Sequence, residues 1–161
     1  MVSLLLCWVL SVSDGDTLRV SCPAEGHRVV QVLRLSGIDA PERGQPWGAH
    51  SRRQLQQLCH RREAEIVVET QDRWGRQVAR VRCAGVDAGQ AQVRAGLAWV
   101  YERYSDDAQL LAWQVAAKDQ RRGLWADPAP VPPWEWRARH RAASSAQPDA
   151  AYRRQQDVTP R

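Results

Sequence analysis

Residues 11–20 read SVSDGDTLRV, two strand-like runs broken by Asp14, Gly15 and Asp16. Residues 8–12 alternate apolar and polar on the way into the break, and Leu18, Val20 and Cys22 alternate with Arg19 and Ser21 on the way out. A period of two sends successive side chains to opposite faces, so these are half-buried strands joined by a tight turn. Gly15 offers the positive φ that such a turn calls for, and the aspartates can accept local backbone hydrogen bonds. The same residues admit a second reading, in which a carboxylate is held at the sheet's rim to bind something positive.

The rest of the chain continues the pattern. Pro23 to Gly26 predict a turn, and HRVVQVLRL (27–35) a third strand with Leu33 and Leu35 on one face and Arg34 on the other. SGIDAPERGQPWG (36–48), rich in proline and glycine, predicts a loop, and residues 49–60 a helix with Leu55, Leu58 and Cys59 at helical spacing. AEIVVET and QVARVRC predict the fourth and fifth strands on either side of the QDRWGR turn. Asp87 followed by Gln90 reads as a capping box opening a second helix that Gly96 ends. A third helix begins near Ser105 and closes with Lys118, Arg121 and Arg122 before Gly123, as the helix dipole prefers. Leu111 and Val115 form one apolar edge of it, and Leu110, Trp113 and Ala117 the other. This order predicts an α+β, mainly β, fold: a five-stranded OB barrel with three helices.

A chain of 161 residues suits one domain with a real core. We expect the domain over 1–127, a Pro/Trp-rich extension packing on or beside it over 128–137, and a basic tail over 138–161. That tail lacks an apolar period and is expected to be disordered. The formal charge of +5 is concentrated there, with five arginines against two aspartates, so it supports an anionic partner only weakly. The longest apolar run, Leu4 to Leu10, falls far short of the roughly 18 residues a membrane span needs, and no membrane partner is expected. We read the run as the start of the first strand or an eroded signal remnant, since MVSLLLCWVLSVS carries no basic residue ahead of it. Cys7, Cys22, Cys59 and Cys83 allow three fully paired connectivities or buried free thiols, and none has zinc-motif spacing. Cys7 and Cys22 flank the DGD turn, although strict hairpin register sets them one residue apart.

Charged residues cluster at three loop positions: Asp14 and Asp16; Arg34 with Asp39 and Glu42; and Asp72, Arg73 and Arg76 around Trp74 and Gly75. Singly, each reads as a solvated turn. Together they have another logic. Carboxylates gathered at one place repel unless a cation joins them, and oxygen donors without His or Cys suit a hard ion, calcium or magnesium. Two guanidinium forks complement a phosphate, and a further carboxylate can take a proton from water. The set describes metal-assisted phosphodiester hydrolysis. His27, His50, His60 and His140 show no metal-ligand spacing and read as surface residues.

In order along the chain, DGDT, RLSGIDAPE, QPWG, DRWGR, GLAWVY and RRGLW closely resemble the thermonuclease (staphylococcal nuclease-like) family. The resemblance covers roughly residues 8–127, and VPPWEWR is similar to an extension of bacterial members. It implies one calcium ion per active site, with magnesium the second choice, held by Asp16, Asp39 and the backbone carbonyl of Ala40. Many members have Thr at that last position, and a carbonyl ligand survives the change. It further implies Glu42 as general base, Arg34 and Arg76 as phosphate ligands, and Asp14 and Thr17 as groups that orient the turn. Trp74 stands where Tyr is frequent, and Tyr101, Tyr104 and Arg73 fall at nucleotide-binding positions. The tryptophans of GLW and PPWEW read as packing groups.

The implied substrates are DNA and RNA, single strands favoured, cleaved by a monomer with little base preference to leave a 3′ phosphate. The alternative is a silent OB module that binds nucleic acid or protein; such a module is expected to lack an acidic ligand, the base or an arginine, all of which are retained here. Family members are commonly exported, whereas a complete N-terminus without a signal would imply a cytoplasmic protein.

Overall fold

The computed structural model of the chain describes residues 4–145. In chain order its elements are β1 (Leu4–Val12), β2 (Thr17–Ala24), β3 (His27–Leu35), β4 (Ile38–Asp39), α1 (Gly48–Cys59), β5 (Glu63–Gln71), β6 (Gln77–Cys83), β7 (Val86–Asp87), α2 (Ala88–Arg94), β8 (Trp99–Val100), α3 (Ala108–Asp119), a 3-10 turn (Gly123–Ala126) and α4 (Pro133–Ser145). The main sheet runs β3-β2-β1-β5-β6-β7. A parallel pairing of β3 with β6, Leu33 to Leu35 against Gln77 to Ala79, closes the five long strands into an OB-type barrel. Inward positions carry the core: Cys7, Val9, Leu18, Val20, Leu33, Leu35, Ile66 and Val81 are all 1% exposed or less. The alternation read from the sequence therefore places Leu33 and Leu35 inside and Arg34 toward the rim.

Several expectations need correction. The apolar N-terminal run is strand throughout its described length, as its alternation suggested, with Leu4 to Trp8 paired to Val67 to Glu63 on β5. A bulge between Val9 and Ser11 absorbs one residue of β1, so Trp8 pairs with Ser21 and Cys7 comes opposite Cys22. The two form a disulfide with Cα atoms 4.3 Å apart, and Cys59 at the end of α1 is bonded to Cys83 on β6. No free thiol remains. Loops of 15 and 24 residues are worth about 3 kcal/mol each in the chain-entropy account. Replacing Cys59 and Cys83 together by Ala is expected to lower the unfolding free energy by about 2–4 kcal/mol. Urea melts of the variant and wild type, each with and without reductant, check this; a wild-type midpoint unmoved by reductant would count against it.

Gly15 has no positive φ. Its need is space: a Cβ there would lie 1.8 Å from Ser51 Oγ and 2.7 Å from the Ala40 Cβ, so only glycine lets the DGD turn press against α1 and the following loop. α3 starts later than expected, capped by Asp107, whose side chain accepts from the backbone of Gln109 and Leu110. It ends at Asp119, which leaves Arg121 and Arg122 beyond it. Its buried line is Leu110, Gln114 and Ala117, because Gln114 Oε1 accepts from the Val100 N–H, while Val115 faces solvent. Asp87 caps α2 as read, accepting from the Gln90 N–H at 2.9 Å.

The largest difference is α4, a fourth helix where the sequence suggested an extension followed by a disordered tail. Residues 138–145 belong to it, and the remainder of that tail lies outside the described residues. Pro133 opens the helix, where its missing N–H and fixed φ are no burden. Trp134 then packs edge-on to Trp99 and face to face with Tyr101, and Trp99 in turn meets Trp125. Among the described residues no helix is long and apolar enough to cross a membrane.

Candidate active site

The DGD turn is held from several sides. The Asp16 N–H donates to Asp14 Oδ1 at 3.1 Å, Thr17 Oγ1 donates to Asp16 Oδ1 at 2.9 Å, and the Asp16 carbonyl accepts from the Leu35 N–H at 2.8 Å. Gln92, buried on α2, donates from Nε2 to the carbonyls of Gly15 and Ser51, tying the turn to α1. Nothing in the sequence marked Gln92, because a polar residue on a short helix reads as surface. Asp16 is thereby fixed in a buried place, 6% exposed.

Asp39 arrives from the next loop. Its strand β4 pairs with β8, Asp39 opposite Trp99, and the residue is 1% exposed. The Ala40 N–H donates to Asp16 Oδ2 at 2.9 Å, which brings the two loops into contact. Arg34 completes the cluster from β3. Its Nη1 donates to the Ile38 carbonyl at 3.0 Å, and its Nη2 lies 2.7 Å from Asp39 Oδ1 and 3.5 Å from Asp16 Oδ2. One guanidinium thus brackets two buried carboxylates. Burial pushes the Asp16 carboxyl upward, against the pull of Arg34 and of the Ala40 N–H. Burial acts on Arg34 in the opposite sense, but Asp16 and Asp39 outweigh it and strengthen its hold on the proton.

Glu42 follows in the same loop. Its N–H donates to Gln45 Oε1, and the close packing of Gly48 beneath it, where a Cβ would lie 2.1 Å from the Glu42 carbonyl, fixes the loop to the start of α1. Its carboxylate meets Arg137 of α4: Nη1 lies 2.5 Å from Glu42 Oε1 and 3.2 Å from Asp39 Oδ1, and Nη2 lies 2.7 Å from Asp39 Oδ2. No local signal in the sequence points to Arg137. It sits nearly a hundred residues from its partners, in a segment that read as the end of an extension.

Arg76 stands in the turn after β5, two residues before Val78, which pairs with Arg34 across the β3–β6 seam. Its Nε donates to Asp72 Oδ2 at 2.7 Å, and its guanidinium carbon lies 5.2 Å from the Trp74 ring centre, with that of Arg73 at 4.3 Å. Burial raises the Asp72 carboxyl, yet hydrogen bonds from the Arg76 side chain and from the Arg76 and Trp74 backbone win and hold it below the usual range. Trp74 is 67% exposed, an aromatic plate flanked by two cations. Tyr104 is exposed and edge-on to Tyr101, while Tyr101 is stacked on Trp134 with ring centres 5.2 Å apart and planes 4° apart. The structure therefore gathers Asp16, Asp39, Ala40, Arg34 and Glu42 into one network. Arg73, Arg76 and Trp74 form a neighbouring group, and Tyr101 and Tyr104 lie on the side covered by α4.

Among the described residues, no three acidic, His or Cys side chains close around a point as a complete metal cage. What the cluster offers is two buried carboxylates, bonded to Arg34, Arg137 and the Ala40 N–H, oxygen donors only, with every cysteine committed to a disulfide. That donor set fits a hard cation whose remaining ligands are water and phosphate oxygens.

Carboxylate oxygens beside guanidinium forks at the rim of an OB barrel are a chemistry that suits a phosphate-bearing ligand. Residues 32–127 match the family model described as staphylococcal nuclease homologue. An "Uncharacterized endonuclease" of Escherichia coli O157:H7 is 41% identical over 132 residues, covering 81% of this chain and 84% of that protein. The "Micrococcal nuclease" of Shigella flexneri is 36% identical over 148 residues, 85% of this chain and 83% of its own length. The "Staphylococcal-like nuclease CAN1" of Arabidopsis thaliana is 33% identical over 143 residues, which are 82% of this chain but 44% of the plant protein. The chain belongs to the staphylococcal nuclease homologue family and is a nuclease of that kind.

Proposed function

We propose that the protein is a calcium-dependent, sugar-nonspecific nuclease that hydrolyses phosphodiester bonds of DNA and RNA, single strands favoured, and acts as a monomer. The observation that carries this reading is the pair of buried carboxylates, Asp16 and Asp39, bracketed by Arg34 with Glu42 alongside. Asp16, Asp39 and the Ala40 carbonyl would hold the ion, with magnesium the second choice. When bound, calcium supplies positive charge against the negative charge that builds on the scissile phosphate.

The chain's own groups do the rest. Glu42 accepts a proton from the attacking water, the task of a carboxylate near but not buried in the cluster, 34% exposed. Arg34 and Arg76 donate to the phosphate oxygens from neighbouring positions on the rim, stabilising charge in the transition state more than in the ground state. Asp14 and Thr17 orient the Asp16 turn. Trp74, Arg73 and Tyr104 offer exposed stacking and cationic surface to the flanking nucleotides, and Tyr101 supports them. Two disulfides fit an oxidising compartment, so we place the enzyme outside the cytoplasm.

Digestion of single-stranded DNA with added calcium, repeated with a chelator, tests the reading. Cleavage that requires calcium is expected, and cleavage indifferent to the chelator would refute the metal assignment. Arg76→Ala is expected to lower kcat/KM by about 10²–10³, on the scale of one lost charge-stabilising donor, with only a small drop in melting temperature from the lost bond to Asp72. Steady-state kinetics on an oligonucleotide measure it, and an undiminished kcat/KM would remove Arg76 from the mechanism.

A further inference from the structure

Glu42 lies in the loop between β4 and α1, followed by the exposed residues Arg43 and Gly44. Among the described residues its carboxylate has one side-chain partner, Arg137. A single nitrogen of that guanidinium, Nη1, reaches both Glu42 Oε1 and Asp39 Oδ1, while Nη2 takes the other oxygen of Asp39. Two carboxylates this close repel, and a planar fork bonded to both fixes their separation and direction together.

The delivery of Arg137 is equally specific. Trp134, one helical turn earlier on α4, is stacked on Tyr101, which sets the height of the helix over the rim. Gln45 accepts from the Glu42 N–H and donates to the Val131 carbonyl at 2.7 Å, so one buried side chain anchors both the Glu42 loop and the approach to α4. Arg137 also lies beyond residues 32–127, the stretch that matches the family model.

We infer that Arg137 is a positioning residue of the active site, supplied by α4 from outside the family core to aim the Glu42 carboxylate beside Asp39; this rests on the roles proposed above for those two residues. Arg34 and Arg76 are assigned to the phosphate, whereas Arg137 acts through the base. Small displacements of a reacting group lower rates by as much as about 10²-fold, so the effect belongs in turnover and not in substrate affinity.

Arg137→Ala and Arg137→Lys in the full chain provide the test. For Arg137→Ala we expect kcat to fall about 10–100-fold, KM for single-stranded DNA to stay within about threefold, and the Lys variant, which can hold one carboxylate at a time, to recover part of kcat. A readout free of catalysis accompanies it: amide hydrogen exchange of residues 42–45 in calcium-free protein should speed up in Arg137→Ala and less in Arg137→Lys. Unchanged exchange together with unchanged kcat would overturn the inference. So would a rise in kcat, which would make Arg137 an obstruction over the carboxylates. If the wild type cleaves no nucleic acid, the nuclease mechanism fails, and the exchange comparison still decides whether Arg137 orders the Glu42 loop.

Discussion

Glu42→Gln should fold, melt within a few degrees of wild type, and hydrolyse single-stranded DNA about 10²–10⁴ times more slowly, the range of a lost general base. Glutamine matches glutamate in shape and can still accept a hydrogen bond from Arg137 through its amide oxygen. What it loses is the ability to take a proton from water. The loss should therefore fall in kcat, while calcium affinity, assigned in the proposal to Asp16 and Asp39, should change little. Stopped assays at saturating DNA, with calorimetric titration of calcium into the same variant, separate the two quantities. Wild-type turnover in this variant would strip Glu42 of the role assigned to it.

The second large effect is expected at Arg34, where stability and catalysis meet. Arg34→Ala leaves Asp16 buried without a guanidinium partner while Asp39 keeps Arg137, and breaking a buried ion pair by removing one partner costs up to about 3–5 kcal/mol. Chemical denaturation of the metal-free variant should show this loss. Calcium should restore more stability to the variant than to wild type, because a divalent cation between the same carboxylates replaces the missing charge. A variant as stable as wild type without calcium would mean that the two aspartates are not charged together in the folded chain.

The barrel was readable because its strands are half-buried: alternation at 18–22, 27–35 and 77–83 encodes an inside and an outside, and the turns between them carry Asp, Gly and Arg. The cluster of Asp16, Asp39, Arg34 and Glu42 is readable only as a set: each charged loop alone reads as a solvated turn, and it is their occurrence together, in the order of the family's motifs, that points to a site. Features that depend on packing between distant segments were not. The bulge that aligns Cys7 with Cys22 leaves no local trace in the sequence. Gly15 was assigned a backbone conformation it does not adopt, because its real constraint comes from Ser51 and Ala40, far along the chain. Gln114 and Gln92 occupy buried helical positions that an apolar pattern passes over, each held there by a backbone group it satisfies. α4 escaped detection because its apolar contacts come from Trp134 in its first turn, after which the sequence turns to Arg, Ala and Ser.

The seam between β3 and β6 carries a further implication. Only three residue pairs, Leu33 to Leu35 against Gln77 to Ala79, join β3, which bears Arg34, to β6, whose preceding turn bears Arg76. A ligand gripped by both side chains acts as a hoop: it gains affinity only while the seam is shut, so by mass action it must hold the seam shut. On the roles proposed for Arg34 and Arg76, the joint with the fewest pairs among the five long strands and the grip on the nucleic-acid backbone become one equilibrium, and occupancy of the rim should tighten the fold along its whole circumference.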